Sequence, residues 1–301
     1  MSGRGLGYTG GTIDKLESIK GYRIDLTDKE ILKQVKDINI VLTGQTASLV
    51  PMDKVIHALR DVTATVSSIP LIASSIMSKK IASGADKILI DIKVGNGALL
   101  QTKEEAEKLS ELMIKIGDVY HREVRTIISD MNTPLGRCIG NGLEVLEAIR
   151  VLKGEEKDTN LVRLCHELAS WMVSMGLNIS FEEASQKVHD SVQSGMAYQK
   201  FLELVKYQGG DINNISLSDT IYPLKAKKSG TVKKIDALEL GKLSLMLGAG
   251  KIRMDDTIDY GVGIELLKLV GDTVKKGDVL ANLYITHKPP VVDLDKFFTI
   301  Q

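Results

Sequence analysis

The first twelve residues combine glycine, serine and threonine in a pattern that could bind an anion. Five glycines stand between Gly3 and Gly11, and hydroxyls are supplied by Ser2, Thr9 and Thr12. Glycine lets the backbone approach a ligand closely and turn its N–H groups toward a negative charge. A helix beginning near Thr12 would add the partial positive charge of its amino end. The stretch is therefore a candidate phosphate-binding loop, with a flexible glycine-rich turn as the alternative.

A second set of polar residues lies on predicted helices further along the chain. Ser75 and Lys79 are four positions apart, so both project from one face of the helix that begins near Pro70. Arg60 lies on the preceding predicted helix and could converge on them. Two cations and a hydroxyl suit a uracil or thymine ring, whose carbonyl oxygens accept hydrogen bonds. The alternative is that Arg60 and Lys79 are ordinary solvated residues.

Other chemical patterns in the sequence are weak. Gly5, Gly7 and Gly10 form a G-x-G-x-x-G, but too few residues precede it for the strand that a dinucleotide-binding fingerprint needs. The five histidines form no triad or metal cluster. The two cysteines, Cys138 and Cys165, form no CxxC. This cysteine usage favours a reducing, cytoplasmic location.

Composition predicts an ordinary globular protein. The chain has 301 residues, 43% of them hydrophobic, and its 39 Lys and Arg balance 39 Asp and Glu. Balanced charge gives no indication of a nucleic-acid partner or an anionic membrane partner. No apolar run is long enough to span a membrane, and no signal peptide is recognised.

Strands alternating with helices must position the candidate residues. The pattern predicts strands at 38–44, 88–92 and 124–129 and helices at 70–84, 102–117, 141–154 and within 160–207. Thr102 and Glu105 form a capping box that supports the second of these helices. This alternation is typical of parallel βαβ units, so we predict an α/β fold with a mixed or parallel sheet flanked by helices.

After about Ser218 the pattern changes to short apolar runs broken by Ser-Gly, Gly-Asp and Lys-Gly-Asp turns. It predicts a β-rich (α+β) C-terminal module. The pattern resembles the hammerhead-like biotinyl and lipoyl carrier domains, but no lysine matches their modified residue. We interpret the module as one that packs against the rest of the chain.

Four ordered motifs resemble the pyrimidine-nucleoside and thymidine phosphorylase family. They are SGRGLGYTGGTIDKLESI, the run from ALRDVTATV to KVGNGA, ISDMNTPLGRCIGNGLEVLEAI, and the C-terminal set KKSGTV, LMLGAGK and GDTVKKGD. The family usually has His where this chain has Tyr8. The resemblance implies phosphorolysis: phosphate attacks the anomeric carbon of uridine, thymidine or deoxyuridine and releases the base and a (deoxy)ribose 1-phosphate in nucleoside salvage.

The resemblance also implies roles for individual residues and for the parts of the chain. Pyrimidine-binding residues would be Arg60, Ser75 and Lys79; phosphate-binding residues Met1, Ser2 and Thr12; and potassium-binding residues Leu135, Cys138 and Glu147. No organic cofactor is implied. The predicted parts are an α/β phosphate-binding domain at 1–50 and 84–217, with a helical section at 160–207, part of a helical pyrimidine-binding lobe at 51–83, and the C-terminal module at 218–301.

The resemblance further implies that about the first hundred residues of the family pattern are missing, including a K-H-S-T-G-G loop that would supply further phosphate and potassium ligands. On this basis we expect weak or no activity. The homodimer typical of the family is then doubtful for this chain, and residues 51–83 would be a remnant of the family's helical lobe. A non-catalytic remnant and a thymidine-only phosphorylase are the alternatives. The anthranilate phosphoribosyltransferases share the general architecture, but the Arg60, Ser75 and Lys79 set and the β-rich C-terminal module argue against them.

Overall fold

The computed structural model of the chain describes residues 2–5, 7–44, 50–53, 56, 59, 63, 65, 68–157, 159–253, 255–288 and 290–301. The chain divides into two compact units. The first unit comprises Met1–Gly44, Asn132–Val162 and Ser191–Gln301, and the second comprises Gln45–Met131 and Arg163–Asp190.

Helices and strands are numbered in chain order among the described residues. The α-helices are α1 Thr12–Glu17, α2 Asp28–Ile38, α3 Ile69–Ala82, α4 Lys103–Val119, α5 Asn141–Leu152, α6 Asn160–Leu177, α7 Phe181–Gln193, α8 Met196–Tyr207 and α9 Ala237–Ser244. The strands are β1 Lys87–Val94, β2 Glu123–Asp130, β3 Cys138–Gly140, β4 Ile221–Lys225, β5 Gly230–Ile235, β6 Gly263–Leu266, β7 Thr273–Val274, β8 Val279–Tyr284 and β9 Phe298–Ile300. A π-helical turn at Leu245–Ala249 and a 3-10 turn at Leu294–Lys296 complete the set.

The second unit is built on the parallel pair β1–β2, which runs from Lys87 opposite Glu123 to Val94 opposite Asp130. Alternate β1 side chains are buried against α3 and α4, where Met77 and Met113 are fully buried. The capping box predicted at the start of α4 is present in both of its hydrogen bonds. These strand and helix predictions are confirmed.

In the first unit, α1, α5 and α8 share one apolar core, with Ile19 and Val205 almost fully buried. The predicted strand at 38–44 is wrong. Ile38 ends α2, Asn39 caps it in the left-handed conformation, and the following residues form no strand. The backbone of Leu42 forms its hydrogen bonds with the buried side-chain amide of Gln208 instead of with a neighbouring strand. Gln208 Oε1 accepts from Leu42 N at 3.2 Å, and Gln208 Nε2 donates to Leu42 O at 2.9 Å.

The C-terminal part contains two small antiparallel sheets, in the orders β3-β6-β8-β4 and β7-β5-β9. Their apolar faces enclose a core in which Leu240, Leu243 and Leu283 are fully buried. β3 enters this core region from the middle of the chain, with Cys138 opposite Glu265. The mixed α/β fold is thus as expected at this level, whereas the hammerhead-like arrangement and the predicted domain boundaries stay predictions.

None of the helices in the described part of the chain is both long and apolar enough to cross a membrane.

Candidate functional site

Ser75 and Lys79 lie in hydrogen-bonding contact on α3. Pro70 stands in the first turn of this helix, where its missing N–H has no intrahelical role. The Lys79 ammonium donates to Ser75 Oγ at 2.8 Å and to Ser75 O at 3.0 Å. The hydroxyl of Ser75 therefore accepts from Lys79 and keeps its own hydrogen for another acceptor.

Sequence reasoning missed the carboxylate beside this pair. Asp53 Oδ2 lies 2.5 Å from Lys79 Nζ, and the two side chains are 8% and 25% exposed. Asp53 belongs to the helical residues 51–53 and precedes α3 by many positions, so no short-range spacing linked it to Lys79. With Ser75 and Asp53 together, all three N–H donors of the ammonium have acceptors. Arg60, the third residue predicted for this site, lies outside the described residues.

The glycine-rich loop, described at residues 2–5 and 7–11, lies in the first unit and packs closely against itself at two of its glycines. A Cβ on Gly11 would collide with the backbone of Arg4 and Gly5, and one on Gly5 would lie 2.5 Å from Thr9 O. A Cβ on Gly3, in contrast, would meet nothing within 4 Å. Close backbone approach thus explains two of the glycines, and at those positions the loop is not merely a flexible turn.

Charged side chains hold this loop on α1. The Arg4 guanidinium donates to Asp14 Oδ1 at 2.8 Å and to both carboxylate oxygens of Glu17, at 2.6 and 2.8 Å. Asp14 is buried, and its second oxygen accepts from Gly5 N at 2.6 Å. Lys15 pairs with Glu144 at 2.5 Å. Both cations closest to the loop in sequence are therefore already paired with carboxylates.

Two of the residues predicted to bind phosphate, Ser2 and Thr12, lie at the ends of this loop. Ser2 is half-buried, and its N–H donates to Thr43 O at 2.9 Å. Thr12 is exposed at the first position of α1. Because α1 has only six residues, its dipole adds less than the sequence suggested. Met1 lies outside the described residues.

The residues predicted to bind potassium also lie in the first unit, around the buried carboxylate of Glu147. Its oxygens accept from Arg137 N at 2.6 Å and Cys138 N at 3.2 Å. Burial raises the pKa of Glu147, and it raises the pKa of the Cys138 thiol to about 12. A Cβ on Gly136 would collide with the carboxylate, so the loop carrying the Leu135 and Cys138 carbonyls lies directly on it.

This arrangement fits a monovalent cation held by oxygens. A buried carboxylate whose hydrogen-bond partners are backbone N–H groups has lone pairs left for a cation, which would offset the cost of its burial. The Leu135 carbonyl accepts one hydrogen bond, from Leu161 N at 3.0 Å, and has a second lone pair. Among the described residues, no group of three or more His, Cys, Asp and Glu side chains could hold a metal ion.

Comparison with known proteins gives matches over most of the chain. The family model described as glycosyl transferase family, a/b domain, matches residues 1–198, and the pyrimidine nucleoside phosphorylase C-terminal domain matches residues 231–294.

Curated relatives are similar over a comparable extent. The pyrimidine-nucleoside phosphorylase of Staphylococcus haemolyticus is 47% identical over 291 residues, which cover 94% of this chain and 67% of that protein. The pyrimidine-nucleoside phosphorylase of Bacillus subtilis is 47% identical over 295 residues, covering 96% and 68%. That of Staphylococcus aureus strain COL is 48% identical over 304 residues, covering 98% and 70%. These figures do not support the expected absence of about the first hundred residues.

Proposed function

The chain belongs to the pyrimidine-nucleoside phosphorylase family, and we propose that it catalyses the phosphorolysis of uridine, thymidine and deoxyuridine. Inorganic phosphate is the second substrate, and the products are the free base and a (deoxy)ribose 1-phosphate. The observation that carries the proposal is the contact between Lys79 and Ser75 on α3, beside the buried Asp53.

The reaction breaks the bond between the anomeric carbon and the pyrimidine nitrogen while a phosphate oxygen bonds to that carbon. Positive charge develops on the sugar, and the electron pair of the broken bond leaves with the pyrimidine. Donors aimed at the base carbonyls stabilise this negative charge more in the transition state than in the ground state. Lys79, Ser75 and Arg60 would supply those donors.

Asp53 determines how Lys79 can take part. Because all three ammonium hydrogens have acceptors, a base carbonyl must replace one of them or bind to the free hydrogen of the Ser75 hydroxyl. The ion pair neutralises Lys79 before the base binds. As the base becomes negative it competes with Asp53 for the ammonium, so this interaction strengthens along the reaction.

Phosphate would be bound by the hydroxyls of Ser2 and Thr12 and by the segment at Met1. A potassium ion would be held by the carbonyls of Leu135 and Cys138 and by Glu147, where it would balance a buried negative charge. Exchange of potassium for tetramethylammonium should then lower the melting temperature, and Glu147→Gln should abolish that difference. We include a homodimer in the proposal only because the family resemblance implies one.

The proposal is tested by phosphate-dependent release of uracil from uridine and of thymine from thymidine. Lys79→Ala is compared with wild type, and Lys80→Ala serves as the control, because Lys80 lies on the same helix and forms no ion pair within the described part of the chain. Lys79→Ala should lower release about tenfold to a few hundredfold, the effect of one charge-assisted hydrogen bond. Lys80→Ala should stay within twofold.

Equal release by Lys79→Ala and wild type would contradict the assigned role of Lys79. Absence of release by folded wild-type protein would exclude phosphorolysis by this chain and favour the non-catalytic alternative. Release from thymidine alone would restrict the proposal to a thymidine phosphorylase.

A further inference from the structure

The side chain of Arg4 is directed back into its own unit. Its side chain is 49% exposed, yet both terminal nitrogens bind carboxylates of α1. The pair with Glu17 is bidentate, the geometry in which Arg and carboxylate interact most strongly. These hydrogen bonds raise the pKa of Arg4 and lower the pKa of Glu17. Arg4 is therefore an intramolecular partner rather than an unpaired cation facing a ligand.

The same contacts extend to the backbone of the glycine-rich loop. Asp14 is 3% exposed, and its two oxygens bind Arg4 Nη1 and Gly5 N. Arg4 and Gly5 in turn lie against Gly11, where a Cβ could not be placed. One buried carboxylate thus joins the Arg4 side chain, the backbone N–H that follows it and the start of α1.

A third contact joins this group to the C-terminal part of the first unit. The Tyr260 hydroxyl donates to Glu17 Oε2 at 2.9 Å, and Tyr260 O accepts from Gly142 N, at the start of α5, at 3.0 Å. Burial, with a smaller effect of Glu17, raises the pKa of Tyr260 to about 12, so this hydroxyl keeps its proton at neutral pH. The loop is fixed from α1 and from the segment before β6.

Charge adds a second consequence. Arg4 balances the charges of Asp14 and Glu17, and Asp14 contacts the backbone of a loop proposed to bind an anion. Without the Arg4 side chain, two carboxylates would repel phosphate, and Asp14 would keep Gly5 N as a partner but lose the guanidinium that holds its other oxygen. Arg4 thereby controls both the shape and the potential of the loop without contacting phosphate itself.

We propose that Arg4, acting through Asp14 and Glu17, is the positioning residue that holds the glycine-rich loop in its phosphate-binding shape. This inference rests on the proposed function for the identity of the anion. Tyr260 supports the same arrangement through Glu17.

The test uses the full chain and three substitutions, Arg4→Ala, Arg4→Lys and the control Arg23→Ala. Arg23 belongs to the same unit, is exposed and pairs with one carboxylate, Glu30, at 2.9 Å. Amide hydrogen exchange of residues 2–13 is measured without ligand, and the affinity for inorganic phosphate is measured by calorimetry. Phosphorolysis then gives separate KM values for phosphate and for uridine.

Arg4→Ala should speed exchange of the Gly5 amide at least tenfold and weaken phosphate binding about tenfold to a hundredfold, with the uridine KM within twofold. Arg4→Lys keeps the charge and loses the bidentate geometry, so its effects should be intermediate. Arg23→Ala should match wild type.

Unchanged exchange in Arg4→Ala overturns the proposal. Faster exchange with unchanged phosphate affinity would show that Arg4 has only a structural role, and so would an equal rise in the KM values for phosphate and uridine. Either result would also overturn the proposal. Failure of the proposed function has a different signature, because folded wild-type protein then releases no base whether or not Arg4 orders the loop. If folded wild-type protein binds no phosphate, the loop has no anion to hold, and both the proposed function and the proposed role of Arg4 are overturned.

Discussion

Each of the two candidate regions contains a cation held by carboxylates, but the two cations differ in burial and in partner. Arg4 is half exposed and pairs with two carboxylates on the helix that directly follows its own loop. Lys79 is three-quarters covered and pairs with one carboxylate, Asp53, from an earlier helical segment. Charge exposed to water is screened and contributes little to folding, whereas removing one partner of a covered pair is strongly destabilising. The comparison predicts that Lys79 contributes to both stability and activity, and Arg4 mainly to loop order.

The largest effect should come from removing Lys79 alone. Lys79→Met removes the cation that balances the buried carboxylate of Asp53, which should cost about 2–4 kcal/mol of unfolding free energy, less than for a fully buried pair because the Lys79 side chain is 25% exposed. The double variant Asp53→Asn with Lys79→Met should recover most of this loss in urea unfolding without restoring phosphorolysis. Equal unfolding free energies for the single and double variants would show that Asp53 and Lys79 are not coupled.

The next effect is steric and lies in the loop. Gly11→Ala places a methyl group onto the backbone of Arg4 and Gly5, so the loop must shift, at about 1–3 kcal/mol for overpacking. Gly3→Ala is the matched control, because a Cβ there meets nothing within 4 Å. Urea unfolding and the phosphate KM should separate the two variants. If both behave like wild type, the loop is loose and its packing does not matter.

Ser75→Ala should have a smaller effect than loss of Lys79. The ammonium keeps Asp53 and the Ser75 carbonyl and loses the contact with Oγ at 2.8 Å. One hydrogen bond contributes about 0.5–1.5 kcal/mol, so kcat/KM for uridine should fall severalfold and unfolding should change little. A loss as large as that of Lys79→Ala would mean that the hydroxyl, rather than the ammonium, is the main donor to the base.

The smallest effect is a dependence of stability on pH. The hydrogen bond from Arg4 lowers the pKa of Glu17 in the folded protein, so its stabilising contribution is present above the ordinary carboxyl pKa and is lost as pH falls through the folded value. The expected size is a few tenths of a kcal/mol to about 1 kcal/mol, because the pair is partly exposed. Wild type should exceed Glu17→Gln in unfolding free energy at pH 6, with the difference shrinking toward pH 3. A difference that is constant with pH would contradict the pairing.

Local signals in the sequence predicted the elements that depend on neighbouring residues. The capping box at Thr102 located the start of α4, and an apolar run located β1. The spacing of Ser75 and Lys79 placed both on one face of α3, and the structure has them in contact. In each case the interacting residues are at most a few positions apart.

Features that depend on distant partners could not be predicted in the same way. Residues 40–44 have the apolar character of a strand, yet the hydrogen bonds of Leu42 go to the side chain of Gln208. Asp53 carries no local sign that it pairs with Lys79. The role of Arg4 depends on Asp14 and Glu17 facing it after α1 has formed and on Tyr260 arriving from the far end of the chain.

The short strand β3 also bears on how the protein is synthesised. Within the described residues, Cys138–Gly140 pairs with β6, Gly263–Leu266, and with no other strand, so the ribosome must translate more than a hundred further residues before this edge can be covered. Until then the nascent chain presents an unpaired strand edge, a feature that invites association with other chains. Strand β3 lies in the segment matched by one family model, 1–198, and β6 lies in the segment matched by the other, 231–294. Expression of the two segments as separate polypeptides should therefore give poorly soluble halves that recover only when they are produced together.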